Sequence, residues 1–442
     1  MIRLVFPGNS YETLRASLLS FTTETAAILL ATHSQRRLIV TERHPAPSEA
    51  YSARARFEAQ LKPEFLVPLV KRAKDEGLAV VFCHTHPGDR RRPRFSSIDD
   101  EGEQHLAAFL ERRVPGIPHA ALVLSPGGLA ARLLGSGEPL DVYEVGSRVR
   151  PLCTSETGGP GVGVWERQVR AFGQEGQEAL RKARIAIVGC GGTGSVVAQQ
   201  LAHLGVADFT LIDPDHIETT NLNRVVGASM SDVGRAKVDV TAEMIRRLGF
   251  KASVNPCVAD VRDPTTAQLL TEADAIFGCT DSHASRAIIN QVAYQYAIPT
   301  FDVGVAITTE AGLVSRVTGR AQMLAPGLAC LVCGNALDWT EVRRELQTDA
   351  ERSLDRYITG HNEPQPAVIS LNSTVASLAV TMFMAAFAGV PAQARLQYYD
   401  GMSGRVRSAA VRPSPTCVVC SAAGALNKGG SWPLPTRATE NG

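Results

Sequence analysis

The sequence is short of extremes, and each shortage removes a class of protein. There is no surplus of one charge: 45 lysines and arginines balance 44 aspartates and glutamates, for a net charge of +1. No global field therefore argues for nucleic acid or an anionic membrane as a partner. Long apolar runs are missing too. The longest, VASLAVTMFMAAFAGV at 375–390, carries Ser377 and Thr381 and falls short of the roughly 20 residues that a spanning helix needs. It reads as a buried core helix. The opening MIRLVFPGNSYETL has no basic stretch leading into an apolar one, so no secretory leader is expected. Internal repeats and long low-complexity segments are also absent. What remains, 44% apolar and 20% charged, is the profile of an ordinary globular chain, and 442 residues leave room for two or three domains.

Nine cysteines cannot all pair with one another. Four of them form Cys330-x-x-Cys333 and Cys417-x-x-Cys420, two knuckles of the kind that close a tetrahedral four-cysteine zinc site. Metal rather than disulfides suggests a reducing compartment, and a cytoplasmic location is expected.

The clearest seam is PLCTSETGGPGVGVW at 151–165, rich in glycine, proline, serine and threonine. Before it, strand-like runs TAAILLAT (25–32), LAVVFCH (78–84) and AALVLS (120–125) alternate with helical stretches. After it comes RIAIVG (184–189), a helix, DFTLIDPD (208–215), a helix near 235–248, and ADAIFGCTD (273–281). Strands alternating with helices predict an α/β fold with a doubly wound parallel sheet. The end, LNKGGSWPLPTRATENG, is polar and is expected to be disordered.

In CHTHPGDRRRPRFSSIDD (83–100), His84 and His86 fall on the same side of a strand end. Two imidazoles and one carboxylate make a three-ligand zinc site with a position left for water. Asp99 is the candidate carboxylate, with Ser96 three residues before it; a register shifted to Ser97 and Asp100 is the alternative. A zinc-bound water still needs a general base, and Glu24 stands at the start of the apolar run AAILLAT. The alternative is a polar turn whose histidines only form hydrogen bonds. The four arginines of the linking loop read as a solvated face, or else as a contact for an acidic substrate.

This set, Glu24 followed by His84-x-His86-Pro87 and then Ser96-x-x-Asp99, resembles the JAMM (MPN/JAB) metalloproteases over about residues 1–145. The resemblance implies that His84, His86 and Asp99 hold a catalytic zinc, that Glu24 activates the water and that Ser96 helps stabilise the oxyanion. Members of that family cleave after the C-terminal glycine of ubiquitin-like proteins.

The second motif set begins with IVGCGGTGS, after a strand and opening a helix. Gly189, Gly191, Gly192 and Gly194 let the backbone turn tightly around an anion at a helix N-terminus. Asp213 ends the next strand, where it could bind a ribose hydroxyl, and Asp215 follows it as a further cofactor-binding candidate. Glycines alone also fit an NAD enzyme, but Asn221, Asn223 and Arg224 follow in the loop after the acidic strand end, Lys237 near the start of the next helix and Asp281 at the end of another strand. A triphosphate with Mg²⁺ needs such cations and such an aspartate; a dinucleotide does not.

From ERQVRAFG (166–173) to the last knuckle, the chain resembles the E1-like adenylyltransferases (ThiF/MoeB/HesA type). The resemblance implies that the glycine loop and Asp213 bind ATP, that Asn221, Arg224 and Lys237 contact phosphates, and that Asp281 holds Mg²⁺. It also implies that Arg167 reaches the nucleotide of a second copy in a homodimer. Many E1 enzymes place a nucleophilic cysteine between the two knuckles, and this chain has none there. Either the adenylate itself is handed on, or a hydroxyl of Ser370, Ser373 or Thr374 replaces the thiol; capping a helix is the other role for those residues.

The expected layout is a JAMM-type α/β domain (1–150), a linker (151–164), a Rossmann-like E1 domain with a four-cysteine zinc knuckle (165–425) and a disordered tail (426–442). The expected function is processing of a ubiquitin-like protein by zinc-dependent cleavage and activation of its C-terminal glycine by ATP, with an E2-like partner. The alternative is adenylation of a sulfur carrier or peptide, with the first domain trimming it or only docking it.

Overall fold

The computed structural model describes residues 2–34, 36–56, 58–154, 163–347 and 366–438. Contacts divide the chain into two units, Met1–Gly158 with Asn427–Trp432 and Gly159–Leu426 with Pro433–Gly442.

The first unit is built on strands β1 (Arg3–Pro7), β2 (Ala26–His33), β3 (Arg37–Pro45), β6 (Ala79–Thr85), β7 (Ala120–Ser125), β8 (Gly128–Leu133), β9 (Asp141–Val145) and β10 (Val149–Cys153). They form one mixed sheet in the order β10-β9-β1-β3-β2-β6-β7-β8, and β4 (Tyr51–Ala55) pairs separately with β5 (Glu58–Leu61). Alternation in β2 explains why its run is apolar throughout. Ala27, Leu29 and Ala31 join a core with Tyr11, Leu14 and Leu18 of helix α1 (Ser10–Leu18), whereas Ile28 and Leu30 meet Val70 of α2 (Pro63–Glu76) and Leu110 of α3 (Ser97–Arg113). Both sheet faces are covered.

The second unit carries β11 (Arg184–Val188), β12 (Asp208–Ile212), β13 (Ser253–Cys257), β14 (Ala275–Gly278), β15 (Thr300–Glu310), β16 (Leu313–Leu324), β17 (Leu396–Asp400) and β18 (Arg405–Ser408). The order is β13-β12-β11-β14-β15-β16-β17-β18, parallel from β13 to β15 and antiparallel beyond. Its helices are α4 (Glu166–Lys182), α5 (Gly194–His203), α6 (Lys237–Arg247), α7 (Pro264–Leu269), α8 (His283–Gln295), α9 (Trp339–Leu346) and α10 (Ile369–Phe387). After β11 the chain runs outward to β12 and β13, then returns to β14 on the other side. The strand ends of β11 and β14 therefore flank a topological switch point, where open α/β sheets bind ligands.

Three expectations need correction. Pro151–Cys153, assigned to the linker, lies in β10 and pairs with β9, because the extended Val149–Cys153 segment completes that sheet edge. The tail beyond 426 is ordered as far as it is described. Thr32 Oγ1 donates to the Asn427 carbonyl (2.9 Å), Gln291 Nε2 donates to that of Pro433 (2.7 Å), and Arg437 pairs with Asp260 (3.2 Å). Long-range partners stabilise a segment whose own composition is that of a disordered one. The core helix begins earlier than the apolar stretch, at Ile369, and by length and composition it could cross a membrane. Instead Phe383 packs its ring 5.7 Å from those of both Phe277 and Phe301, within the core of the second unit.

Candidate metal centre and nucleotide pocket

Strand register assembles the first site. Ala26 of β2 stands opposite His84 of β6, which brings Glu24, two residues upstream, beside His86, two residues downstream. Thr25 fastens this corner: its N–H donates to Thr85 Oγ1 (2.9 Å) and its carbonyl accepts from the Thr85 N–H (3.0 Å). The Ser96-x-x-Asp99 spacing serves two purposes. It is a capping box that starts α3, with Asp99 N–H donating to Ser96 Oγ (3.2 Å) and Ser96 N–H donating to Asp99 Oδ2 (2.6 Å). The same box aims the Asp99 carboxylate at the histidines.

His84 Nε2 lies 3.3 Å from His86 Nε2 and 3.1 Å from Asp99 Oδ1, and His86 Nε2 lies 3.6 Å from Asp99 Oδ2. Ligands about 2.0 Å from a tetrahedral zinc stand roughly 3.3 Å apart, so the three donors fit that ion. Asp100, the alternative carboxylate, is turned away and pairs with Arg132 at 2.7 Å. Glu24 is buried, and its Oε1 lies 3.8 Å from His86 Nε2. Burial raises the Glu24 carboxyl above its ordinary range, while His84 and His86 pull it down. Burial also opposes ionisation of Asp99, but hydrogen bonds from His84 and His86 outweigh it and hold this carboxyl well below the usual range. Ser96 Oγ is engaged as the helix cap. Sequence reading missed Asp89, whose Oδ2 lies 3.5 Å from His86 Nδ1 and can orient that ring; the signal was an acid three residues after the second histidine. Arg90, Arg91, Arg92 and Arg94 are all exposed, and Arg92 Nη2 reaches Cys153 Sγ at 2.5 Å.

The second site forms where β11 ends. Gly189 has φ +90°, and an added methyl there would lie 2.6 Å from the Cys279 carbonyl oxygen; one on Gly194 would collide with the Gly189 carbonyl. Glycine is required at both points by close backbone approach. Gly191 and Gly192 complete the turn. Asp213 is buried, and both of its carboxylate oxygens are occupied. Oδ2 accepts from Cys190 N–H (2.6 Å) and Oδ1 from Asp215 N–H (2.9 Å). Burial raises its carboxyl above the ordinary range and Lys237 lowers it. Asp215, expected at the cofactor, pairs with Lys237 Nζ at 2.7 Å. The Arg224 stem passes the glycine turn, and its Nη1 donates to the Thr220 carbonyl (2.6 Å) and to Asn223 Oδ1 (3.1 Å). Asn221 is buried and shapes this loop, its Oδ1 accepting from Glu218 N–H at 3.2 Å. Asp281 is exposed between β14 and α8, and Arg167 is exposed in the first turn of α4. Ser370, Ser373 and Thr374 lie inside α10 rather than capping it. Thr374 Oγ1 donates to the Ser370 carbonyl (2.9 Å), and Val368 is the N-cap.

The two knuckles also converge. Cys330 Sγ lies 3.5 Å from Cys417 Sγ, as Cys333 Sγ does from Cys420 Sγ, and all four sulfurs fall within 4.8 Å of one another. Thiolates about 2.3 Å from a tetrahedral zinc would stand roughly 3.8 Å apart. Ser414 N–H (3.3 Å from Cys333 Sγ) and Val419 N–H (3.4 Å from Cys417 Sγ) approach as thiolate donors.

A glycine turn at the switch of a doubly wound sheet, with a cationic loop and a paired knuckle, defines the class: the chain belongs to the ThiF family, which matches residues 165–419, and residues 11–133 match the prokaryotic homologs of the JAB domain. Among individual proteins, a molybdopterin-synthase adenylyltransferase of Escherichia coli strain K12 is 31% identical over 258 residues, covering 58% of this chain and 95% of that protein. A SAMP-activating enzyme E1 of Haloferax volcanii is 26% identical over 264 residues, 57% of this chain and 85% of that one. An adenylyltransferase and sulfurtransferase uba4 of Aspergillus clavatus is 34% identical over 146 residues, 33% of this chain and 30% of that one.

Proposed function

We propose that this chain uses ATP to adenylate the C-terminal glycine carboxylate of a small sulfur-carrier or ubiquitin-like protein, and that its first unit is a zinc-dependent peptidase that trims the same carrier. The observation that carries the first part is a pair of cations at the strand ends: Arg224 lies against Gly192 of the glycine turn, and Lys237 acts on Asp213 at the end of the next strand, a lining suited to a triphosphate. The names of the relatives above support adenylation, and one adds sulfur transfer.

In the reaction, a carboxylate oxygen attacks the α-phosphorus of ATP. A new O–P bond forms, the bond to the bridging oxygen breaks, and pyrophosphate leaves. The acyl-adenylate then has a good leaving group. Arg224 and Lys237 neutralise phosphate charge, with Lys237 exchanging Asp215 for the nucleotide. Asp281 would hold Mg²⁺, which supplies further neutralisation of the phosphates. Arg167 is exposed on α4, as an arginine lent to a second copy must be, so a homodimer belongs to this reading.

No cysteine lies between Cys333 and Cys417, and the candidate hydroxyls of Ser370, Ser373 and Thr374 are on a helix. This favours passing the adenylate to a sulfur nucleophile over a thioester and an E2-like acceptor. In the first unit, His84, His86 and Asp99 would hold zinc, which supplies a polarised water when bound. Glu24, made more basic by burial, takes up the proton.

The test is ATP–pyrophosphate exchange with carriers ending in Gly-Gly, followed by mass spectrometry of the carrier terminus. Exchange and a thiocarboxylate are expected. No exchange with any such carrier removes the reading, and an isopeptide product in place of the thiocarboxylate turns it to conjugation.

A further inference from the structure

On the α8 side of the second sheet, a charge cluster stands apart from the residues discussed above. Asp302 of β15 is 2% exposed and meets Arg320 of β16 at 2.5 Å and Arg286 of α8 at 3.4 Å. The two guanidinium side chains are 14% and 15% exposed. Register accounts for the grouping. Asp302 pairs with Gln322 and Gly304 with Arg320, so these alternate positions share a face. The bare Cα of Gly304 leaves room for Arg286 Nη2, which would stand 2.5 Å from an added methyl.

The charges do not cancel. Among the described residues, Asp302 is the one carboxylate within 4.0 Å of either guanidinium, which leaves one positive charge largely out of water. The Arg286 Nε also has no hydrogen-bond partner in the structure. An uncompensated, nearly buried cation is costly and is relieved by a second anion. The location narrows which anion. Asp302 Oδ1 would lie 3.8 Å from a methyl on Gly278, the last residue of β14, and the next residue, Cys279, abuts the Gly189–Gly194 turn. Along the same face exposure rises from buried Asp302 through Gly304 to exposed Ala306, so the cluster opens toward solvent along β15.

We infer that Arg286 and Arg320, held in place by Asp302, form the receptor for the C-terminal carboxylate of the carrier's tail beside the nucleotide turn. Two donors can hold one carboxylate oxygen while leaving a lone pair of the other free for attack. This inference rests on the proposed adenylation, since it supplies the acyl oxygen for that step.

The probe is a fluorescent peptide ending in Gly-Gly with a free carboxylate, compared with its C-terminal amide, binding to the full chain measured by anisotropy. The wild-type chain should prefer the acid by about tenfold or more. Arg320→Met and Arg286→Met should abolish that preference, and Arg320→Lys should restore part of it. Asp302→Asn should strengthen acid binding, because it adds a net positive charge; a merely structural aspartate would only weaken it. ATP affinity, measured separately on each variant, should change less than twofold and thereby report an intact fold. Equal binding of acid and amide by the wild type, a preference that survives both methionine variants, or a loss of ATP affinity instead overturns the inference. A wild type that prefers the acid but gives no pyrophosphate exchange with any carrier defeats the activation reading and leaves the receptor standing.

Discussion

Single side chains in this protein are set by burial and by what it removes. Glu24 is the clearest case, buried beside His86 with its carboxyl raised by loss of water. Glu24→Gln keeps the shape and loses the base. Cleavage of a carrier fusion should fall by roughly 10²–10⁴-fold while metal analysis finds the zinc content unchanged; loss of the metal as well would make Glu24 a ligand rather than a base. Asp260 shows the opposite balance. Burial opposes its charge, but hydrogen bonds and charge from Arg262, with Arg437 behind it, hold its carboxyl below the ordinary range. A depressed folded pKa contributes stability that is present above the unfolded value and is lost as pH falls through the folded one. Asp260→Asn should therefore melt below the parent near neutrality, and the gap should close as pH drops below about 4. A gap that stays constant with pH would assign the effect to packing.

At the scale of elements, each site lies where two chain segments end together. The corner of β2 and β6 brings Glu24 to His86, and the ends of β11 and β14 bring Gly189 to Cys279. Such junctions tolerate no added atoms. Gly194→Ala would push the first turn of α5 against the Gly189 carbonyl. Nucleotide binding, measured by equilibrium dialysis, should be lost while peptidase activity and its zinc persist. An alanine variant with unchanged ATP affinity would show that the turn can shift. The knuckles act on another element pair, since Cys330, Cys417 and Cys420 share a core with Tyr294 of α8. Cys417→Ser should release one zinc and lower the melting temperature of the second unit, with little effect on cleavage.

For the molecule as a whole, the prediction is two zinc ions per chain. The three-ligand centre leaves a position open to water and is reached by solvent, whereas the four-thiolate centre is closed. A chelator should therefore remove the first ion well before the second, and peptidase activity should vanish while pyrophosphate exchange continues. One tightly held zinc in the untreated protein would leave the first unit as a docking module.

The sequence by itself determined what depends on close neighbours along the chain. Cys-x-x-Cys, His-x-His-Pro, the capping spacing of Ser96 and Asp99 and the glycine turn are local devices, so residue type and spacing reveal them. The alternating strands and helices from β11 to α8 were legible for the same reason. Tertiary structure alone chose Asp99 over Asp100, because the phase of α3 turns one toward the histidines and the other toward Arg132. It alone brought the Cys190 N–H to Asp213, gave Lys237 a partner in Asp215 and ordered a polar tail through Asn427, Pro433 and Arg437. It also brought Arg286, Asp302 and Arg320 together from three elements. These pairings join residues far apart in the chain, and only sheet register and helix packing bring them within bonding distance.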